Sequence, residues 1–295
     1  MLTIKELSEQ YIARLEAVGV HTPVADTRTI FARVLNIPME KVEGQATRPV
    51  SAEEQAALEA AIAQREKRIP LSRIFNATAF SGLQLQMTPG VFNIYPESEV
   101  MVDHALMSLP DPNAPLRILD VGTGSGCLLL ALLHQLPNAT GVGIDNSQTA
   151  LKLARMNAES CGLADRAEFR TGNWADGVDE QFDLVVSNPP RVATKDIPFL
   201  TPEMRLHDPI MSLDGGPGGL KYFYLLAEAL PRIAKPKALA FLQIGPRYGK
   251  SLQRLFIKAG FYPVELKKNY RGEASCVAVV NAKRPRRILD IFRWF

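Results

Sequence analysis

The sequence predicts an α/β protein, an open and mostly parallel seven-stranded sheet with helices on both faces, preceded by a small helical domain and joined to it by a β-hairpin. Three observations carry this. From residue 117 onward, short apolar runs alternate with longer amphipathic ones, the pattern of parallel strands linked by crossover helices. Before residue 70 only helical periodicity is present, and around Ser81-Gly82 the period falls to two.

In the first seventy residues, Thr3 with Glu6 and Ser51 with Glu54 have capping-box spacing, in which a hydroxyl satisfies an orphan amide and a carboxylate reaches back. Leu7, Tyr11, Leu15 and Val18 recur at helical intervals, as do Leu58, Ala61 and Ile62, with "ADTRTIFARVL" between them. This predicts a helical domain over 1–70. "IFNATAF" and "LQLQM" flank "SG" and predict a hairpin, so 71–96 reads as hairpin and connector. A loop and then a helix starting near Glu97 follow. The remaining pattern places strands at 117–121, 140–144, 167–171, 182–187, 237–243, 262–268 and 275–280. Helices fall at 126–135, 147–161, 219–234 and 248–259, giving a sheet domain over 97–282. Sheets of this kind bind ligands beyond the carboxyl ends of their strands.

At 295 residues, 46% hydrophobic and 22% charged, the chain can bury one large core and a smaller companion. No run approaches the ~18 apolar residues of a spanning helix, and the first residues carry charge, so the cytoplasm is the expected location. Cys127, Cys161 and Cys276 lie far apart without C-x-x-C spacing, and the four histidines are scattered, so no metal site is expected. The formal charge of +3 is unevenly placed: the tail 283–295 holds Lys283, Arg284, Arg286, Arg287 and Arg293 against Asp290, which leaves the body at −1. Any contact with nucleic acid or an acidic membrane surface is thus expected through this basic amphipathic tail, with a segment folded back on the body as the plainer alternative.

"RILDVGTGSG" (117–126) is a strand ending in Asp120-x-Gly122-x-Gly124-x-Gly126 and entering an apolar helix. Alternate glycines allow a tight turn and a close ligand approach. A dinucleotide fingerprint would need its third glycine where Cys127 stands, so that motif is not matched. The next strand ends in Asp145, followed by Asn146, at the distance where an acid accepts hydrogen bonds from ribose hydroxyls. A third strand runs into Asn173 and Trp174, and a fourth, "FDLVVS", into Asn188-Pro189-Pro190-Arg191. For a planar –NH2 group, the Asn188 side-chain oxygen can accept one N–H and the Pro189 carbonyl the other. The two prolines fix that carbonyl, because their φ is locked and each preceding residue is kept extended.

In this order the motifs resemble those of the class I S-adenosylmethionine-dependent methyltransferases. More narrowly, "ADTRTIFARVL", "RIPLSRIF…FSGLQLQMTPGVFNIYPESE", the glycine turn, NPP and "HDPIMSLDGGPGGLKYF" resemble the HemK/PrmC protein-glutamine methyltransferases over about residues 24–280. The resemblance implies a Rossmann-like sheet, S-adenosyl-L-methionine as cofactor, and as partner a peptide-chain release factor methylated on the Gln of its GGQ loop. It places Asn188, Pro189 and Pro190 at the reacting amide. Asp120, Gly122, Gly124, Gly126, Asp145, Asn146, Asn173, Trp174 and Asn188 fall around the cofactor, with Tyr95, Glu97, Glu99 and Arg191 toward the acceptor. Departures from the family pattern fall on that acceptor side: Arg191 stands where NPPY has Tyr, Tyr95 where RPETE has Arg, and Gln243 where an acid is common. A guanidinium can stack on an amide or base or pair with an anion. Two further readings therefore stand: an adenine-N6 nucleic-acid or small-molecule N-methyltransferase using the same clamp, and a non-catalytic S-adenosylmethionine-binding paralogue, against which the intact NPP argues.

Overall fold

The computed structural model describes residues 1–268 and 272–281. The basic tail 283–295, with the nucleic-acid and membrane-surface readings attached to it, lies outside the described residues. Among the described residues no helix is long and apolar enough to cross a membrane. Two compact units divide the chain, one spanning Met1–Asn76 and one starting at Ala77.

The first unit is built from α1 (Ile4–Ala17), α2 (Pro23–Val34), α3 (Ala52–Glu66) and the single turn α4 (Leu71–Ile74). Both capping boxes form: Thr3 N donates to Glu6 Oε2 at 2.8 Å and Ser51 N to Glu54 Oε2 at 2.9 Å, each met by the reciprocal bond. Leu7, Tyr11 and Leu15 from α1, Ile30 and Phe31 from α2 and Leu58 and Ile62 from α3 make its core. Asp26 and Arg65 are buried with it and pair at 2.6 Å.

In the second unit, β1 (Ala77–Phe80) and β2 (Leu83–Gln86) form the hairpin. Its two-residue turn has φ of 47° at Ser81 and 84° at Gly82, the twin positive angles that a right-twisted hairpin requires. The hairpin is shorter than its period-two stretch: Ile74 closes α4, and Asn76, at φ 50° in the left-handed region, turns the chain before β1 begins. After a short 3-10 turn at Pro96–Ser98 comes α5 (Glu99–Met107).

The main sheet is built from β3 (Arg117–Val121), β4 (Thr140–Asp145), β5 (Ala167–Thr171), β6 (Phe182–Ser187), β7 (Ala234–Gln243), β8 (Tyr262–Lys268) and β9 (Ala274–Val280). Their spatial order is β5-β4-β3-β6-β7-β9-β8, parallel except that β9 runs antiparallel to both neighbours. Interleaved are α6 (Cys127–Gln135), α7 (Gln148–Ser160), α8 (Pro202–His207), α9 (Ile210–Leu213), α10 (Lys221–Ile233) and α11 (Gly249–Lys258). Side chains alternate across the strands. Ile118, Leu184, Val186 and Phe241 meet α5, α6 and α7 on one face; Leu119, Val185, Ala240 and Leu242 meet α10 and α11 on the other. β7 starts three residues earlier than its apolar run suggests, because Ala234 already pairs with Phe182 ahead of a register shift.

The strand order reverses between β3 and β6, which diverge to opposite sides. A crevice at the carboxyl ends of such a pair is where this class of sheet binds its ligands. Ser187 fixes the two ends together, its buried Oγ donating to the carbonyl of Val121 at 2.6 Å.

Candidate active site

Beyond the ends of β3, β4, β5 and β6 lies a cavity of about 510 Å³. Its floor is the turn after β3. Gly122 and Gly124 both line it at φ of 74° and 56°, and the amides of Gly122 and Thr123 donate to the carbonyl of Ile144 at 2.8 and 2.9 Å. Where Gly124 would carry a Cβ there is open space, so a ligand can reach the backbone there. Gly126 serves another purpose and lies outside the lining. A Cβ on it would meet Ala154 Cβ at 3.2 Å and Leu130 Cδ1 at 3.3 Å, so its φ of 81° and lack of side chain let α6 start against α7.

Asp145 borders the floor at the end of β4. One carboxylate oxygen accepts from Gly124 N and the other from Ser147 N, each at 2.9 Å, which locks the side chain across the cavity wall. Each oxygen keeps a lone pair, so the pair of ribose hydroxyls expected there is compatible with this arrangement. Asn146, Asn173 and Trp174 also line the wall. The Trp174 ring stacks on Tyr222 of α10 with centroids 4.2 Å apart, making a flat apolar surface for a planar group. Floor, carboxylate and aromatic wall together suit a nucleoside, and the chemistry of this donor set fits the cofactor expected from the sequence.

Asp120 lies beneath the floor, fully buried and outside the lining, with Oδ2 held by Thr123 Oγ1 at 2.7 Å. Burial pushes its carboxyl up to about 7, with a contribution from the charge of Asp145. Its place is structural support of the turn, so the expectation of direct cofactor contact is not carried by the geometry. Cys127 does line the cavity, but burial pushes its thiol up to about 12 and keeps it neutral.

Asn188 and Pro190 reach the cavity from the end of β6, with the buried Pro189 behind them. Arg191 is half-buried outside the lining, and its Nη1 donates to Asn188 Oδ1 at 2.5 Å. Burial lowers the guanidinium to about 10 while the carboxylate of Glu97 opposes that shift. Tyr95 also stays outside the lining: its hydroxyl donates to Asp208 Oδ2 at 2.7 Å. Glu99 is committed elsewhere, accepting from Ser81 N in the hairpin turn at 2.7 Å. Of the four acceptor-side residues read from the sequence, Arg191 alone touches Asn188 among the described hydrogen bonds.

Several contributors carry no motif signal. Asn157 of α7, fully buried, accepts from Gln86 N at 2.7 Å and donates to the carbonyl of Ser125 at 3.0 Å, tying hairpin to glycine turn. Ser98 lines the cavity and donates to Gln243 at 2.9 Å. Tyr222 and Lys221 come from the first turn of α10, where the only hint in the sequence is an aromatic next to a lysine after a glycine-rich loop. Among the described residues no cluster of three or more His, Cys, Asp or Glu side chains is placed to hold a metal.

Comparison with known proteins gives the family. Residues 6–75 match the PrmC N-terminal domain and residues 82–204 the methyltransferase small domain. The release factor glutamine methyltransferase of Rhodospirillum rubrum is 38% identical over 276 residues, covering 94% of this chain and 84% of that protein. The chain belongs to the release factor glutamine methyltransferase family. A second relative in the family, from Caulobacter vibrioides, is also 38% identical, over 87% of this chain and 89% of its own. Among solved structures, a methyltransferase from Pyrococcus furiosus shares the fold, with a TM-score of 0.52 at 16% identity over 76% of this chain and 98% of that one. Membership makes this chain a methyltransferase. The cavity described above lies where this sheet order puts a crevice, at the reversal between β3 and β6.

Proposed function

We propose that the protein transfers a methyl group from S-adenosyl-L-methionine to a side-chain amide nitrogen, the Gln of a release-factor GGQ loop. The observation that carries this is the presence of Asn188 on the wall of the same cavity whose floor is Gly122, Gly124 and Asp145. In this reading Asp145 takes the ribose hydroxyls, Gly122 and Gly124 admit the cofactor to the backbone, and Trp174 with Tyr222 forms the flat wall. When bound, the cofactor supplies a sulfonium-activated methyl carbon.

An amide nitrogen is a poor nucleophile because its lone pair is delocalised into the carbonyl. Asn188 Oδ1 and the Pro189 carbonyl, each accepting one N–H, fix the –NH2 so that its lone-pair direction is set before reaction. Alignment of this kind removes part of the barrier that a freely tumbling amide would face. Both groups are neutral acceptors, so they hold the amide without a desolvated charge. Ser187, bonded across to Val121, keeps this clamp in register with the glycine floor.

A second reading is favoured by one observation: Arg191 already engages Asn188 Oδ1. A changed acceptor, an adenine amine or a small molecule, would meet a site altered on that side. Labelled S-adenosyl-L-methionine incubated with a GGQ-containing release factor, with tRNA and rRNA, and with a cell extract separates the two. Label on the release factor at its Gln supports the first; label only on RNA or a small molecule overturns it.

A further inference from the structure

The clamp is already engaged. Asn188 Oδ1, the atom expected to take an acceptor N–H, receives Arg191 Nη1 at 2.5 Å, from a residue three positions along the same chain. That oxygen keeps a second lone pair, but a charge-assisted bond of this length draws on its acceptor strength and leaves it a weaker partner for a neutral amide N–H. Meanwhile the Arg191 backbone cannot retreat. Val192 N donates to Leu213 O at 3.0 Å and Gly215 N to Val192 O at 2.8 Å, while Gly215 and Gly219 pack so tightly that a Cβ on either would lie within 2.9 Å of Arg191 backbone atoms. Only the side chain has freedom to move, and the carboxylate of Glu97 acts on its charge.

We propose that Arg191 is a specificity-determining residue that competes with the acceptor for Asn188, so that an amide substrate binds tightly only when the guanidinium gives up Asn188 Oδ1 and turns toward Glu97. This rests on the amide-clamp reading above and adds to it a competitor built into the chain. The guanidinium favours keeping a partner, because even a half-buried cation loses hydration that a partner makes good. The carboxylate of Glu97, whose charge already acts on Arg191, is the partner this proposal assigns it. The consequence is a raised acceptor KM rather than a slowed methyl transfer, since once the amide is seated the clamp is the same.

The test is steady-state methyl transfer to a GGQ-containing release factor by the full-length protein and by Arg191→Met, Arg191→Lys and Glu97→Gln, with cofactor affinity by calorimetry as the control for folding. Arg191→Met is expected to lower acceptor KM by about tenfold, the worth of one charge-assisted bond of about 1.4 kcal/mol, with kcat changed less than about threefold. Arg191→Lys should fall between, and Glu97→Gln should raise KM by removing the alternative partner. An unchanged or raised KM in Arg191→Met and Arg191→Lys, both binding cofactor normally, overturns the proposal while leaving the amide-clamp reading intact. No transfer to release factor by wild type, Arg191→Met or Arg191→Lys alike overturns both.

Discussion

The hydroxyl of Tyr95 donates to Asp208 Oδ2 at 2.7 Å, and the amide of Asn93 meets the other carboxylate oxygen at 2.9 Å. Asp208 stands directly before Pro209, and Asn93 and Pro209 both line the cavity, so one carboxylate holds two of its walls together. Burial and the charge of Asp208 raise the Tyr95 hydroxyl well above its ordinary value, so it remains a donor through the neutral and mildly alkaline range. Tyr95→Phe keeps the ring and removes the bond. It is expected to cost about 1–3 kcal/mol in urea denaturation and to weaken cofactor binding in calorimetry. Full retention of both would mean that the Tyr95 bond is not what holds the walls.

Asp145 has two duties, and its substitution should show both. Asp145→Ala is expected to weaken S-adenosyl-L-methionine by about 1–3 kcal/mol, the worth of the ribose bonds. It also frees the amides of Gly124 and Ser147, so apo-protein stability should fall with it. Asp145→Asn keeps one acceptor oxygen and should lose less on each measure. Unchanged affinity in calorimetry removes Asp145 from the cofactor site.

Asn188→Ala separates binding from transfer. Its expected contact is with the acceptor, so turnover should drop by about 10²-fold or more while cofactor affinity stays within a few-fold of wild type. Wild-type turnover by this variant on the true acceptor would refute the clamp.

A pH signature is expected from Asp120. Its carboxyl is held at about 7 by burial, against 3.8 unfolded, so between those values the folded protein binds the proton more tightly than the unfolded chain. The protonated form is therefore the one that folding favours. Its contribution is fully present below pH 4, declines as pH rises and levels off above about 7, a total on the order of 4 kcal/mol. Asp120→Asn mimics the protonated form, so denaturation midpoints across pH 4.5–8.5, compared at about these values, should show a shallower fall for the variant. Parallel curves would mean that the carboxyl titrates normally.

The sheet was legible, and the residues expected to hold the cofactor could be gathered, because each rests on a local pattern. Strand ends, positive-φ glycines and an acid after β4 are set by residues next to one another in sequence, and Gly122, Gly124, Asp145, Asn173 and Trp174 duly meet on one cavity. The acceptor side was harder to read because its contacts are long-range. Nothing in "YPESE" indicates that Tyr95 bonds to Asp208, 113 residues on, or that Glu99 turns back to Ser81. Asp120 and Gly126 show the opposite difficulty: they belong to a ligand-binding motif by spacing, yet one supports the turn from below and the other spaces two helices. Asn157, which joins hairpin to turn, is an unremarkable polar residue in a helix until its burial is known.

The glycine-rich loop after α9 makes a last expectation that tests the acceptor side through the backbone alone. Gly219 sits at φ 72°, and a Cβ there would lie 2.6 Å from both the carbonyl of Arg191 and the hydroxyl of Tyr248. Gly219→Ala therefore pushes directly on the residue that follows NPP, in addition to the ~1–2 kcal/mol that a left-handed non-glycine residue costs. One position earlier, Gly218 has ordinary φ and nothing within 4 Å of its Cβ position, so Gly218→Ala is the matched control. The cofactor floor is built from other elements, so Gly219→Ala should bind S-adenosyl-L-methionine nearly normally and lose about tenfold or more in kcat/KM for the acceptor, the kind of loss that a slightly misplaced reacting group brings. Equal acceptor kinetics in the two alanine variants would show that the position of the chain after NPP does not govern how the acceptor is held.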